Sequence, residues 1–157
     1  MVRICLKGTN MNKRIFLSTP ISGFENRAMF TLFREKIIDL VTFLEEKGFD
    51  VYSEINKTAT ESDYASPVKS IQDDFQRIRE SDIFIMFHPQ KMQTSTLIEL
   101  GYACAFNIKI VIIGDKNNLP YLAKGLEDSE YSAKLISISD FNKISQQEII
   151  DVVYSIL

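Results

Sequence analysis

The residues best placed to do chemistry in this chain are carboxylates with polar neighbours. Glu99 follows a Ser/Thr-rich stretch, Gln93-Thr-Ser-Thr96, and precedes small residues suited to a close-packed helix. A carboxylate at such a helix start, near backbone N–H donors, can act as a nucleophile or stabilise a developing cation. Thr96-Leu-Ile-Glu99 also spells a capping box, in which the glutamate would only bind the Thr96 backbone N–H. Both readings stay open on the sequence alone. Asp74, beside Asp73, falls off the apolar stripe of its own segment, so it belongs either to a site or to a solvated helix face. Ser18 and Ser95 are candidate phosphate or hydroxyl contacts, although serines in loops also form turns. His88 is the single histidine. It has no His or Cys partner at metal-ligand spacing, and no metal is expected.

The motifs for other chemistries do not occur. There is no Walker A loop and no Gly-x-Gly-x-x-Gly turn; the first turn reads Ser18-Thr-Pro-Ile-Ser-Gly23. No nucleophile-elbow motif supports a Ser-His-Asp triad. No cofactor is expected. With a net charge of −3 and no basic stripe, nucleic-acid binding is not expected either. No apolar run reaches the roughly 18 residues of a membrane span. Cys5 and Cys104, far apart in sequence, read as reduced thiols of a cytoplasmic protein.

The elements that must carry these residues follow from periodicity. The 157 residues suit one domain, with 45% hydrophobic and 25% charged residues. Residues 1–12 read as an N-terminal extension and 13–157 as the domain. Residues 14–18 form a short apolar strand. Phe30, Phe33, Ile37, Leu40, Val41 and Leu44 then recur at helical spacing, closed by Gly48. A brief strand at 49–52 leads into a polar loop, 53–65, long enough to cover a site. Ser66-Pro67 starts a helix whose buried stripe is expected at Val68, Ile71, Phe75 and Ile78. Asp82-Ile-Phe-Ile-Met-Phe87 reads as a central parallel strand. A loop at 88–96, a helix from Glu99 to Phe106 and a strand at 109–113 follow. A polar stretch at 115–132 holds a short helix near Tyr121. A weak strand at 135–138 and a terminal helix behind the Ser145-Gln-Gln-Glu148 capping box complete the chain.

This alternation predicts a doubly wound, flavodoxin-like, five-stranded parallel sheet with helices on both faces. Its ligand cleft is expected at the carboxyl ends of the strands.

Three stretches together resemble the nucleoside 2-deoxyribosyltransferase-like family. They are Arg14-Ile-Phe-Leu-Ser-Thr-Pro20, the segment from Asp74 to Met86 ending in Ser81-Asp-Ile-Phe-Ile-Met86, and Glu99-Leu-Gly-Tyr-Ala with the strand behind it. The resemblance spans most of residues 13–114. It implies that Glu99 is the nucleophile that takes the sugar from the base and that Asp74 contacts the substrate. Phe16, Ser18, Thr19, Pro20, His88, Gln93 and Ser95 would line the substrate site. The usual Asp-x-Gly-Thr stretch is replaced here by Gln93-Thr-Ser-Thr96, and the tyrosine of the first strand by Phe16. The implied activity is cleavage or transfer at the N-glycosidic bond of a nucleoside or nucleotide, by a homo-oligomer. The same region resembles TIR-like domains, which implies NAD hydrolysis or cyclisation as an alternative. A nucleotide-binding or signalling module without catalysis is a third.

Overall fold

A computed structural model describes residues 12–57, 65–91 and 94–157. The expected extension, apart from Asn12, lies outside these residues, as do Cys5, much of the 53–65 loop and Gln93. The strands are β1 (Arg14–Ser18), β2 (Asp50–Tyr52), β3 (Ile83–His88), β4 (Lys109–Gly114) and β5 (Ala133–Ser137). The helices are α1 (Arg27–Glu46), α2 (Pro67–Arg79), α3 (Thr96–Ala105), α4 (Tyr121–Lys124) and α5 (Gln146–Ile156). All strand pairs are parallel, in the order β2-β1-β3-β4-β5. This is the doubly wound, flavodoxin-like sheet that the alternation predicts.

Strand alternation divides the core into two layers. Ile15, Leu17, Ile83, Ile85 and Phe87 point to the layer under α1 and α5, with Phe33, Ile37, Leu40 and Val153. Phe16, Phe84, Met86, Ile110 and Ile112 point to the opposite layer, with Leu100 and Ala103 of α3 and Ile78 of α2. Every residue of β3 is buried, as a central strand covered on both faces requires. The register pairs Phe16 with Tyr52 on one side and with Phe84 on the other, so the three rings form an aromatic row on the α2/α3 face. Ser18, two residues beyond Phe16, therefore points to that face as well.

Caps set several helix starts. Asn26 Oδ1 accepts from the Met29 N–H, Ser66 Oγ from Lys69 and Ser145 Oγ from Glu148. Gly48 ends the turn after α1 with φ +90°, the left-handed conformation that favours glycine.

Three expectations need correction. The α2 stripe is not buried along its length: Val68 is 66% exposed and Ile71 47%, while only Ile78 is fully covered. Only the C-terminal end of α2 lies fully on the sheet, and its N-terminal half overhangs the rim. Helix α3 begins at Thr96 rather than Glu99, because the Ile98 and Glu99 N–H groups already bond to the Ser95 carbonyl. His88 ends β3 and does not start a loop, since its register partner is Gly114 of β4. Among the described residues, no helix is long and apolar enough to cross a membrane.

At the β3–β4 contact, a Cβ placed on Gly114 would lie 2.6 Å from the His88 carbonyl oxygen. Gly114→Ala is therefore expected to destabilise the domain by about 1–3 kcal/mol, the usual cost of overpacking. The shift of the urea midpoint measures this, and an unchanged midpoint contradicts the close approach.

Candidate active site

The chain order turns back between β1 and β3: β2 lies outside β1, while β4 and β5 extend beyond β3. The loops after β1 and β3 therefore diverge, and a crevice opens at their carboxyl ends. A cleft of about 410 Å³ occupies this place. Its floor comes from Phe16 to Thr19 of β1 and the turn after it, with Glu54 on one side. The overhanging half of α2 supplies Pro67, Ser70, Ile71, Asp74 and Phe75, and the start of α3 supplies Ser95, Ile98 and Glu99.

Glu99 and Ser18, from α3 and β1, meet at the end of this cleft. The Ser18 hydroxyl donates to Glu99 Oε2 at 2.5 Å, across 81 residues of sequence. Glu99 is the fourth residue of α3, one place too far along for the capping box that the sequence allows. The Thr96 N–H turns instead to Thr94 Oγ1 at 3.4 Å. Burial pushes the Glu99 carboxyl up to about 7. The Ser18 bond opposes this by favouring the ionised form, and the charges of Asp74 and Glu54 add to it.

Asp74 projects from α2 into the same cleft, and its Oδ1 is buried without a hydrogen-bond partner. Burial first, then the charges of Glu54 and Asp73, raises its carboxyl to about 6. Hydrogen bonding from Tyr52 and the Lys57 charge pull the other way. Asp73 is bound at 2.5 Å to Lys69, one turn earlier on the helix.

The other expected contacts separate into two groups. Phe16 is 2% exposed and forms floor rather than wall. Thr19 is 9% exposed, lines the cleft and keeps its Oγ1 buried without a partner. Ser95 is exposed at the mouth. Pro20 and His88 are not among the lining residues. His88 is 1% exposed and faces the Gly114 contact, where burial lowers its pKa. Among the described residues, no group of His, Cys, Asp and Glu stands where it can hold a metal ion.

Two residues of this site went unread in the sequence. Glu54 sits on a single 3-10 turn, Glu54–Asn56, just after β2 and lines the cleft. Tyr52, the last residue of β2, donates its hydroxyl to the Glu54 carboxylate. The available signal was the polar stretch after the second strand, recognised as a covering loop without its individual residues.

No family model and no curated protein matches the sequence. Solved structures do match. The chain is 29% identical to the Clostridium botulinum CMP N-glycosidase BcmB, with a TM-score of 0.64 over 92% of this chain and 100% of that one. It superposes on BlsM with a TM-score of 0.74 at 17% identity, covering 92% and 91% of the two chains. For the 2-deoxyribosyltransferase of Bacillus psychrosaccharolyticus the TM-score is 0.57 at 14% identity, over 87% and 89%. The last two matches establish the fold. The chain thus shares its α/β fold with a CMP N-glycosidase and a 2-deoxyribosyltransferase, in line with the nucleoside 2-deoxyribosyltransferase-like resemblance of the three sequence stretches.

The raised carboxyl of Glu99 carries a pH signature. The folded state holds this proton up to about 7, whereas an unfolded chain releases it near 4.5. The group's contribution to stability therefore falls as pH rises through this window. Glu99→Gln, which cannot ionise, is expected to gain stability relative to wild type between pH 5 and pH 8. Urea midpoints at the two pH values check this, and a parallel shift at both speaks against a buried ionisable Glu99.

Proposed function

We propose that this protein cleaves the N-glycosidic bond of a nucleoside or nucleotide, with Glu99 as the nucleophile. The observation that carries the reading is the Glu99 carboxylate, bonded by Ser18, beside Asp74 in an open cleft at the switch point of the sheet. The match to a CMP N-glycosidase over nearly the whole chain supports it.

The arrangement suits a reaction that builds positive charge on a sugar. As the base departs, the anomeric carbon becomes oxocarbenium-like and favours an anion beside it. That charge draws Glu99 to its ionised form, which the Ser18 hydroxyl already stabilises, and the proton Glu99 gives up passes to Asp74 in the same cleft. The carboxylate oxygen bonds to the anomeric carbon while the carbon–nitrogen bond breaks, and the electron pair leaves with the base. The base takes its proton from Asp74. Water then attacks the anomeric carbon, the ester to Glu99 breaks, and Asp74 recovers a proton from the water. The unpartnered oxygens of Asp74 and Thr19 offer acceptors to sugar hydroxyls.

Glu99→Ala is expected to abolish release of free base from a nucleoside and nucleotide panel while leaving the circular dichroism spectrum unchanged. Mass spectrometry of the products tests this, with NAD in the same panel to detect nicotinamide release. Wild-type rates in the variant would remove Glu99 from the chemistry.

A further inference from the structure

Glu54 is a third carboxylate on the cleft, and it is not a wandering surface acid. Tyr52 donates its hydroxyl to it. The Tyr52 ring is itself fixed: it lies 5.3 Å from the Phe16 ring, with the Lys57 ammonium 4.3 Å and the Arg77 guanidinium 4.7 Å from its centroid. Arg77 stands three residues after Asp74 on α2, so the two project from one face of the helix. The helix face that stacks a cation on the Tyr52 ring thus also presents Asp74 toward the Tyr52 hydroxyl and Glu54.

We propose that Tyr52 and Glu54 form a positioning pair for Asp74: the phenol pins the Glu54 carboxylate at the cleft, and its negative charge keeps on Asp74 the proton that the departing base requires. This rests on the glycosidic reading above. Glu54 does not touch the reacting atoms and acts through Asp74.

The charged groups around Asp74 fit this assignment. From β2 and the turn after it come Tyr52, Glu54 and Lys57; from α2 itself, Asp73 and Arg77; from α3, Glu99. Asp73 is offset by Lys69, and both Lys57 and Arg77 lie over the Tyr52 ring. Glu54 remains as the carboxylate facing Asp74 within the cleft, since Glu99 keeps its own proton up to about 7. Glu54 is the anion free to hold a proton in place. Burial together with Glu54 also raises the Tyr52 hydroxyl far above the ordinary phenol range, so it stays a donor.

Carboxyl carbon NMR of the substrate-free protein, with Asp74 assigned through Asp74→Asn, tests the pair without requiring turnover. In wild type the Asp74 signal is expected to titrate near pH 6. Glu54→Gln should lower the Asp74 midpoint by at least about half a pH unit, and Glu54→Asp should restore most of it. With Asp74 at about 6 and Glu99 at about 7, the acid limb of kcat/KM follows Asp74, so in Glu54→Gln that limb should move down with the midpoint while the alkaline limb stays, whereas a merely structural role would lower the rate at every pH alike. An unmoved midpoint in a folded Glu54→Gln overturns the pair. With base release intact, that result overturns the pair alone. A midpoint that moves in Glu54→Gln without base release in wild type overturns the glycosidic reading and with it the purpose of the retained proton.

Discussion

The hydrogen bond between Ser18 and Glu99 depends on the whole architecture. It joins the end of the first strand to the start of the third long helix, and neither residue has a reason to approach the other in an unfolded chain. Parallel pairing of β1 with β3 brings these ends together, and α3 packs back on the sheet through Leu100 and Ala103. A carboxylate half out of water is costly, so the fold must hold it by packing on one side and by a hydroxyl on the other. The same enclosure that strains its ionisation makes it responsive to positive charge arriving in the cleft.

Alternation along the strands decides what reaches that carboxylate. Phe16 and Ser18 share one face of β1, Tyr52 shares it on β2, and Ile15 and Leu17 serve the opposite core. A one-residue slip in register would exchange the two sets and place Ser18 under α1. The aromatic row of Tyr52, Phe16 and Phe84 therefore does two jobs: it fills the layer under α2 and α3, and it anchors the register on which the polar tip of the site depends.

The sheet was legible in the sequence because its signals are long and apolar. Residues 83–87 could hardly be anything but a buried strand, and the helical spacing of Phe33, Ile37, Leu40 and Leu44 left little choice for α1. Glu99 and Asp74 were legible as candidates through the combined pattern of three stretches. Their meeting was not, because a contact across the sheet leaves no local trace. The α2 stripe misled for a related reason: periodicity shows that a helix has an apolar face, not how much of that face the sheet reaches. Val68 and Ile71 keep the pattern but extend past the rim. Glu54 escaped because one 3-10 turn has no period to detect, and its neighbour Tyr52 looked like an ordinary strand residue. His88 attracted attention as a lone histidine, yet its burial against Gly114 makes it part of the β3–β4 contact.

The overhang of α2 gives the two walls of the cleft unequal tolerance to change. Phe16 is floor and core at once, so any new shape there is felt through the layer beneath it. Ile71 and Ser70 border the same space with little packed behind them. Descendants of this chain can therefore acquire a different ligand preference by drift along the outer edge of that helix, while the strand beneath stays nearly frozen.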